Sequence, residues 1–334
     1  MSSIQTMTAA VVTSRDGPFT LQPVARPTPG PGEVLVRVEA SGLNPLDLKI
    51  RAEQAAHARN PLPAVLGMDL AGEVEAVAAD VVGFAPGDRV FGLVGGVGGL
   101  QGAHAQYVSV DAGLLAKRPV SLSARAAAAL PLVAITAWEG LVDRARVRPG
   151  QTVLVQGGAG GVGHLAVQIA LAKGARVYAT ALGEADQSYL RDLGAVAIDG
   201  ARSVADYVGE HTAGAGFEVV YDTGGGALLD ASFQAVKRFG HVVSCLGWGV
   251  HALAPLSFKQ ATYSGVFTLQ PLLSGEGRGH FGEILTEVAA LADQGALKPR
   301  LHEGRFGLDA LDAAYETLAG GRAGGKVVVD VAHP

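Results

Sequence analysis

Over the first third of the chain, apolar and polar residues alternate in short runs, as in Glu33-Val34-Leu35-Val36-Arg37-Val38-Glu39-Ala40 and Gly72-Glu73-Val74-Glu75-Ala76-Val77. A period of two predicts strands with one face buried. Turn clusters such as Pro27-Thr28-Pro29-Gly30-Pro31-Gly32 and Ala85-Pro86-Gly87-Asp88 separate them. Residues 121–145 carry a mostly helical pattern that stops at the turn Arg148-Pro149-Gly150. From Gln151 the rhythm changes to alternating strand and helix, with strands at 152–156, 176–180, 217–222 and 241–246 and helices at 184–193 and 227–237. That alternation predicts an α/β fold with a doubly wound parallel sheet. Helices at 280–291 and near 308–318 follow, and Lys326-Val327-Val328-Val329-Asp330 closes the pattern as a strand.

The first junction of the alternating region reads Gly157-Gly158-Ala159-Gly160-Gly161-Val162-Gly163. It lies between the strand Thr152-Val153-Leu154-Val155-Gln156 and a helical pattern of Val162, Leu165, Ala166, Ile169 and Ala170. In that context a Gly-x-Gly-x-x-Gly string points to a dinucleotide site. Gly158 is expected to permit the tight turn, Gly160 to let the backbone approach a pyrophosphate, and Gly163 to let the helix pack closely on the strand. The free N–H groups at the start of the helix would face the phosphates. A nicotinamide cofactor narrows the chemistry to hydride transfer. A second glycine-rich stretch, residues 92–102, follows Arg89-Val90-Phe91, but no amphipathic helix leaves it. There the expectation is a flexible surface loop, or else a loop bordering the substrate cleft.

Composition narrows the picture further. A length of 334 residues suggests two domains, and 49% hydrophobic with 17% charged residues marks a folded globular chain. A net charge of −5 gives no reason to expect nucleic-acid or anionic-membrane partners. The first ten residues lack a basic region followed by an apolar core, so no secretory leader is expected. The longest apolar run, residues 126–138, contains Pro131 and is too short to span a bilayer. A cytoplasmic location is the expectation. The single cysteine, Cys245, rules out an intramolecular disulfide and any multi-cysteine zinc site, and it is expected to be an inert core thiol. The nine histidines are scattered without a His-x3-His pairing, so no zinc is expected either.

Several strings agree with one family in order and spacing. These are Ser41-Gly42-Leu43-Asn44-Pro45-Leu46-Asp47-Leu48-Lys49-Ile50-Arg51, Gly67-Met68-Asp69-Leu70-Ala71-Gly72, Gly87-Asp88-Arg89-Val90, Thr136-Ala137-Trp138 and Gly325-Lys326-Val327-Val328. With the glycine turn, the chain resembles the medium-chain dehydrogenase/reductase superfamily, in its zinc-free quinone oxidoreductase (ζ-crystallin-like) branch. The resemblance implies a β-rich GroES-like catalytic domain at 1–123 and 269–334 and a Rossmann NAD(P)-binding domain at 124–268. Zinc-dependent relatives carry a ligand Cys where this chain has Asn44 or its neighbour, and a His-Glu pair where it has Met68-Asp69. Hydride transfer to a quinone or related conjugated carbonyl is the implied activity. An enoyl or enone reductase is the alternative within enzymes, and a non-catalytic NADPH-binding crystallin-like or regulatory protein is the alternative outside them.

The resemblance also implies site residues. On the substrate side, the Asn44 amide would donate to an acceptor oxygen, or else stabilise the turn before Pro45. Lys49 would stabilise charge or relay a proton, or else be a solvated helix-face lysine. Asp47 would act as a general acid or fix local backbone. Thr136 would contact the nicotinamide end, and Gly158, Ala159, Gly160, Gly161, Val162 and Gly163 the phosphates. Thr180 and Ala181 stand where NAD-specific proteins have a ribose-binding acid, which leans toward NADPH, with NADH possible. Against NADPH, the family's phosphate-binding lysine and tyrosine fall at Asp186 and Gly200; Glu184 could bind ribose and Arg191 a phosphate. Asp222, Thr223 and Gly224, then Leu246 and Gly247, then Phe267, Thr268 and Leu269 complete the implied cofactor contacts. The run Ser264-Gly265-Val266-Phe267-Thr268-Leu269 reads as an edge strand, and pairing across a two-fold axis would make a homodimer.

Overall fold

The alternating segments of the first third become β1 (Thr6–Val12), β2 (Thr20–Ala25), β3 (Glu33–Gly42), β4 (Ala64–Val65), β5 (Asp69–Val77), β6 (Arg89–Leu93), β7 (Tyr107–Asp111) and β8 (Leu115–Lys117). The computed structural model describes residues 5–321 and 323–331. Residues 1–4, part of the segment read for a leader, lie outside the described residues. After β3 comes the short helix α1 (Pro45–Arg51), and after β8 come α2 (Ala124–Ala128) and α3 (Pro131–Trp138). The parallel region then supplies β9 (Thr152–Gln156), α4 (Gly161–Ala172), β10 (Arg176–Ala181), α5 (Glu184–Asp192), β11 (Val196–Asp199), α6 (Val204–Thr212), β12 (Phe217–Asp222), α7 (Ala227–Ala235), β13 (Val236–Ser244), α8 (Ala254–Lys259) and β14 (Thr262–Gly265). The chain ends with α9 (Gln270–Ser274), α10 (Arg278–Asp293), β15 (Phe306–Gly307), α11 (Leu311–Ala319) and β16 (Val328–Asp330).

Two compact units result, one through Leu132 and again from Leu269, the other Val133–Thr268. In the first, a sheet runs β15-β16-β3-β5-β6-β8 with β7 also on β3. Val34, Val36 and Val38 of the central β3 are fully buried, while Arg37 and Glu39 between them reach ion partners on Glu73 and Arg118. This unit extends through Leu132, past the expected limit at 123, because α2 packs on it. Ala127 and Ala128 are fully buried, and Arg125 donates to Val328 O at 2.9 Å. The glycine-rich stretch after β6 is not a flexible surface loop. Residues 92–97 are buried, and a Cβ on Gly95 would lie 2.0 Å from Gln101 O, so the glycines there allow backbone to pack on backbone.

The second unit is a six-stranded parallel sheet in the order β11-β10-β9-β12-β13-β14, the doubly wound arrangement that the strand–helix rhythm predicts. Leu154, Phe217, Val220, Phe233 and Val242 centre its core. Two details differ from the sequence reading. The helix expected to 237 stops at Ala235, and β13 starts at Val236, where its pairing with β12 shifts register. Cys245 falls one residue past β13 and is half-buried; burial pushes its thiol up to about 12, so it stays protonated. Among the described residues no helix is long and apolar enough to cross a membrane.

Candidate active site

The residues of the glycine turn divide their work differently from the expected scheme. The positive φ of the tight turn, +75°, belongs to Gly157. Gly158 is needed for space, since a Cβ there would lie 2.6 Å from Ala179 Cβ. Gly163 does permit close packing of α4, because a Cβ there would lie 2.1 Å from Gly157 O. Gly160 and Gly161 are exposed at the apex, Ala159 and Val162 are half-buried, and a Cβ on Gly160 would meet only Gly157 O at 3.3 Å. The first bond within α4 runs from His164 N to Gly160 O at 3.0 Å, so the N–H groups of Gly161, Val162 and Gly163 precede the helical ladder. Three amides and a helix start at an open glycine apex fit a phosphate.

Thr180 braces this turn. Its hydroxyl donates to Gln156 Oε1 at 2.9 Å and accepts from Gly157 N at 3.0 Å, while Thr223 Oγ1 donates to Gln156 O at 2.7 Å. The buried Gln156 is the organiser that the sequence reading passed over; a buried amide directly before a glycine turn was its signal. At the strand ends, Ala181 is buried and Leu182 and Gly183 are exposed. Glu184 and Arg191, the two other candidates for the ribose end, pair with each other on the exposed face of α5. An exposed pair of this kind adds little stability.

The remaining cofactor candidates gather at the carboxyl ends of the strands. Asp222 is buried and accepts from Gly224 N at 3.1 Å, Gly225 N at 3.0 Å and Ser244 Oγ at 2.6 Å, so it shapes the loop after β12. Leu246 N donates to the same Ser244 hydroxyl at 3.0 Å, and Gly247 is exposed beyond it. Phe267 meets Trp248 edge-on with centroids 6.0 Å apart. Thr136 and Thr268 approach to 3.0 Å between hydroxyl oxygens, and Leu269 caps α9. Residues 266–269 therefore leave the sheet; the edge strand is β14, Thr262–Gly265.

In the first unit, the substrate-side candidates build one buried polar cluster. Asn44 caps α1 but turns its side chain inward: Nδ2 donates to Asp69 Oδ2 at 2.9 Å, and Oδ1 accepts from Lys326 Nζ. Both ends of the amide thus have protein partners. Lys326 also donates to Leu43 O at 2.8 Å. Asp69 Oδ1 accepts from Leu132 N at 2.8 Å. Asp47 Oδ2 accepts from Asn44 N at 2.8 Å, which secures the first turn of α1. Burial pushes the Asp47 carboxyl up to about 7, against the pull of the Asn44 N–H and Lys326, and its Oδ1 has no hydrogen-bond partner. Burial likewise raises Asp69 and lowers Lys326, each opposed by the other's charge. Lys49 is exposed on α1 and stands apart from the cluster.

The comparisons with known proteins agree with this construction. Residues 30–120 match the description "Alcohol dehydrogenase GroES-like domain", and residues 193–329 match "Zinc-binding dehydrogenase". The chain is 34% identical over 318 residues to the 2-methylene-furan-3-one reductase of Solanum lycopersicum, covering 93% of this chain and 74% of that protein. The chain belongs to the medium-chain dehydrogenase/reductase superfamily. The chain is also 36% identical over 303 residues to the spectinabilin polyketide synthase system protein NorB of Streptomyces orinoci, covering 90% of this chain but only 13% of that protein. An alcohol dehydrogenase superfamily protein from Novosphingobium aromaticivorans has a solved structure with TM-score 0.96 at 63% identity, covering 98% of this chain and 100% of that one. The quinone oxidoreductase from Coxiella burnetii superposes with TM-score 0.81 at 28% identity, covering 98% and 100%. The superfamily is an oxidoreductase family, and a nicotinamide-dependent fold accommodates the glycine turn described above.

Proposed function

We propose that this chain is a zinc-independent, NAD(P)H-dependent reductase that delivers hydride to an alkene conjugated with a carbonyl, in an enone or a quinone. The observation that carries the reading is the Lys326 ammonium between Asn44 and Asp69. In the resemblance to zinc relatives, Asn44, Met68 and Asp69 fall at the ligand positions. Here Asn44 and Asp69 already serve a buried cation, and Met68 supplies a fully buried thioether. A divalent ion would have to displace that ammonium or sit beside it, so this donor set does not fit zinc. An acceptor that delocalises the incoming electron pair asks for no Lewis acid.

When bound, the reduced nicotinamide supplies the hydride. The amides at the start of α4 hold its phosphates, and Thr136 and Thr268 stand at the carboxyl edge of the parallel sheet, where such folds bind the ring. No acid stands at Ala181 or the exposed Leu182-Gly183, and the Glu184 that follows is paired with Arg191, which favours NADPH. Lys49, exposed on α1, or water supplies the proton to the reduced acceptor. Enones come first among acceptors, since one of the relatives matched along most of its length, the 2-methylene-furan-3-one reductase, is named for one. NADPH oxidation measured with an enone series, 1,4-benzoquinone and 9,10-phenanthrenequinone tests the order. Faster turnover of every quinone would reverse it, and tight NADPH binding with no turnover on the whole panel would favour a non-catalytic binding protein.

The open edge of β14 supports a homodimer. β14 pairs with β13 on one side, and the nearby chain exposes Trp248, Val250, Leu253, Phe258 and Tyr263. Strand pairing across a two-fold axis would cover both the edge and part of this apolar surface. Light scattering that returns a monomer mass at micromolar concentration would refute it.

A further inference from the structure

The segment between β13 and α8 leaves the carboxyl edge of the parallel sheet, the edge that also carries the glycine turn after β9. Open α/β sheets take ligands there. The segment is fixed first at Leu246, whose N–H donates to Ser244 Oγ at 3.0 Å. Gly247, Trp248, Gly249 and Val250 beyond it are exposed. A second anchor stands at His251. Its Nδ1 lies 2.8 Å from Asp230 Oδ1 on α7, and its Nε2 lies 3.2 Å from Trp248 O. Gly249, at φ +107°, lets the chain turn between Trp248 and His251. The His251 ring also meets Phe233 of α7 edge-on, with centroids 6.2 Å apart.

A carboxylate and a carbonyl only accept, so both ring nitrogens donate, and the imidazolium is the form that carries two N–H groups. The Asp230 carboxylate first, then the Trp248 carbonyl, raises the imidazole above its ordinary value of 6.5. Asp222, at the end of β12, adds to that pull. The cation of α8, Lys259, is turned to the carbonyls of Phe233, Gln234 and Val236 at the far end of α7. A neutral ring keeps one hydrogen, and Asp230, the charged acceptor, holds it. Nε2 then sets a lone pair against Trp248 O, so this contact turns from attractive to repulsive whatever else Trp248 touches.

We infer that His251 is a proton-operated latch. As the imidazolium it fastens the exposed turn 248–251 to α7 at the ligand-taking edge of the sheet, and on losing its proton it releases that turn. The latch belongs to the second unit alone and does not depend on which ligand that edge takes.

Nitrogen NMR on the full chain with isotope-labelled histidine reads the proton directly, the His251 signals being those that His251→Phe removes. Both ring nitrogens should carry hydrogen at neutral pH, and the titration midpoint should lie above 6.5. Asp230→Asn should lower that midpoint. Release of the turn is read by acrylamide quenching of Trp248, taken as the difference between the wild type and Trp248→Phe, since Trp138 is the other tryptophan. Quenching should rise with pH at the His251 midpoint. In His251→Phe, which keeps a ring against Phe233, it should be high at every pH. Should that variant fail to fold, Asp230→Asn both marks the signal and carries the test, because the two midpoints should fall together. A His251 ring that titrates at or below 6.5 overturns the inference. So does quenching that stays flat through the titration, or that rises with pH as much in His251→Phe as in the wild type.

Discussion

Lys326 Nζ lies 3.6 Å from Asp69 Oδ2, with both side chains buried. The pair ties four distant parts of the chain together, because Asn44 bonds to both partners and Asp69 also holds the Leu132 N–H. Replacing Lys326 by Met would leave two buried carboxylates, Asp47 and Asp69, with no cation between them. Breaking a buried ion pair from one side typically costs about 3–5 kcal/mol. Lys326→Met should therefore lower stability by that order in urea melts. The double variant Lys326→Met with Asp69→Asn should recover part of the loss. A Lys326→Met protein as stable as the wild type would show that the cluster does not hold the first unit together.

The same cluster makes stability depend on pH. Asp47 is raised to about 7 in the folded chain, from an ordinary value near 3.8. Between those values the folded state binds a proton that the unfolded state does not, so this group's contribution falls as pH rises from about 4 to 7 and is constant above. His104, fully buried, is depressed to about 3 by burial and works in the opposite sense: its contribution is lost as pH falls below about 6.5. The two slopes oppose each other across the window they share. Asp47→Asn should remove one of them, so that stability rises with pH more steeply than in the wild type. The difference between the two proteins should change by about 4 kcal/mol between pH 4 and 7. A difference independent of pH would mean that Asp47 is ionised throughout.

The parallel sheet and the glycine turn were legible in the sequence because both are local. A strand of β-branched residues, a glycine string and a helical period follow one another within residues 152–172. The substrate-side cluster was legible only as separate strings, Asn44 to Arg51, Gly67 to Gly72 and Gly325 to Val328. No local pattern states that Lys326 lies against Asn44; that contact joins residues 282 positions apart. Hydroxyl networks were hidden for the same reason. Thr180 read as a ribose-end residue from its place on β10, and only the fold shows its hydroxyl facing Gln156. The glycine-rich stretch at 92–102 misled the reading because glycine serves flexibility and close packing equally well.

Two glycines of the turn should respond in opposite ways to substitution. Gly160 has φ −72°, a conformation open to any residue, and a Cβ there would meet one atom, Gly157 O at 3.3 Å, which a small backbone shift relieves. Gly160→Val should fold with a wild-type melting temperature and lose at least tenfold in NADPH affinity, since the side chain would stand where a phosphate approaches. Gly163→Val would drive a Cβ into Gly157 O and should lower the melting temperature. Unchanged NADPH binding by folded Gly160→Val would place the phosphates elsewhere.

Ala181 and Thr180 are adjacent at the end of β10, yet only one of them can switch the cofactor. An aspartate at Ala181 would end the strand beside the exposed Leu182 without touching the Gln156 network. Its charge would accept from ribose hydroxyls and repel a 2′-phosphate, so Ala181→Asp should move the ratio of kcat/KM for NADPH over NADH about tenfold or more toward NADH. An aspartate at Thr180 would lose the hydroxyl hydrogen that Gln156 Oε1 accepts and put a carboxylate against that buried oxygen. Thr180→Asp should therefore destabilise the turn and weaken both cofactors alike. Steady-state kinetics with both nucleotides, together with melting curves, separate the two effects. A cofactor ratio unmoved by Ala181→Asp would mean that the ribose end of the site lies away from β10.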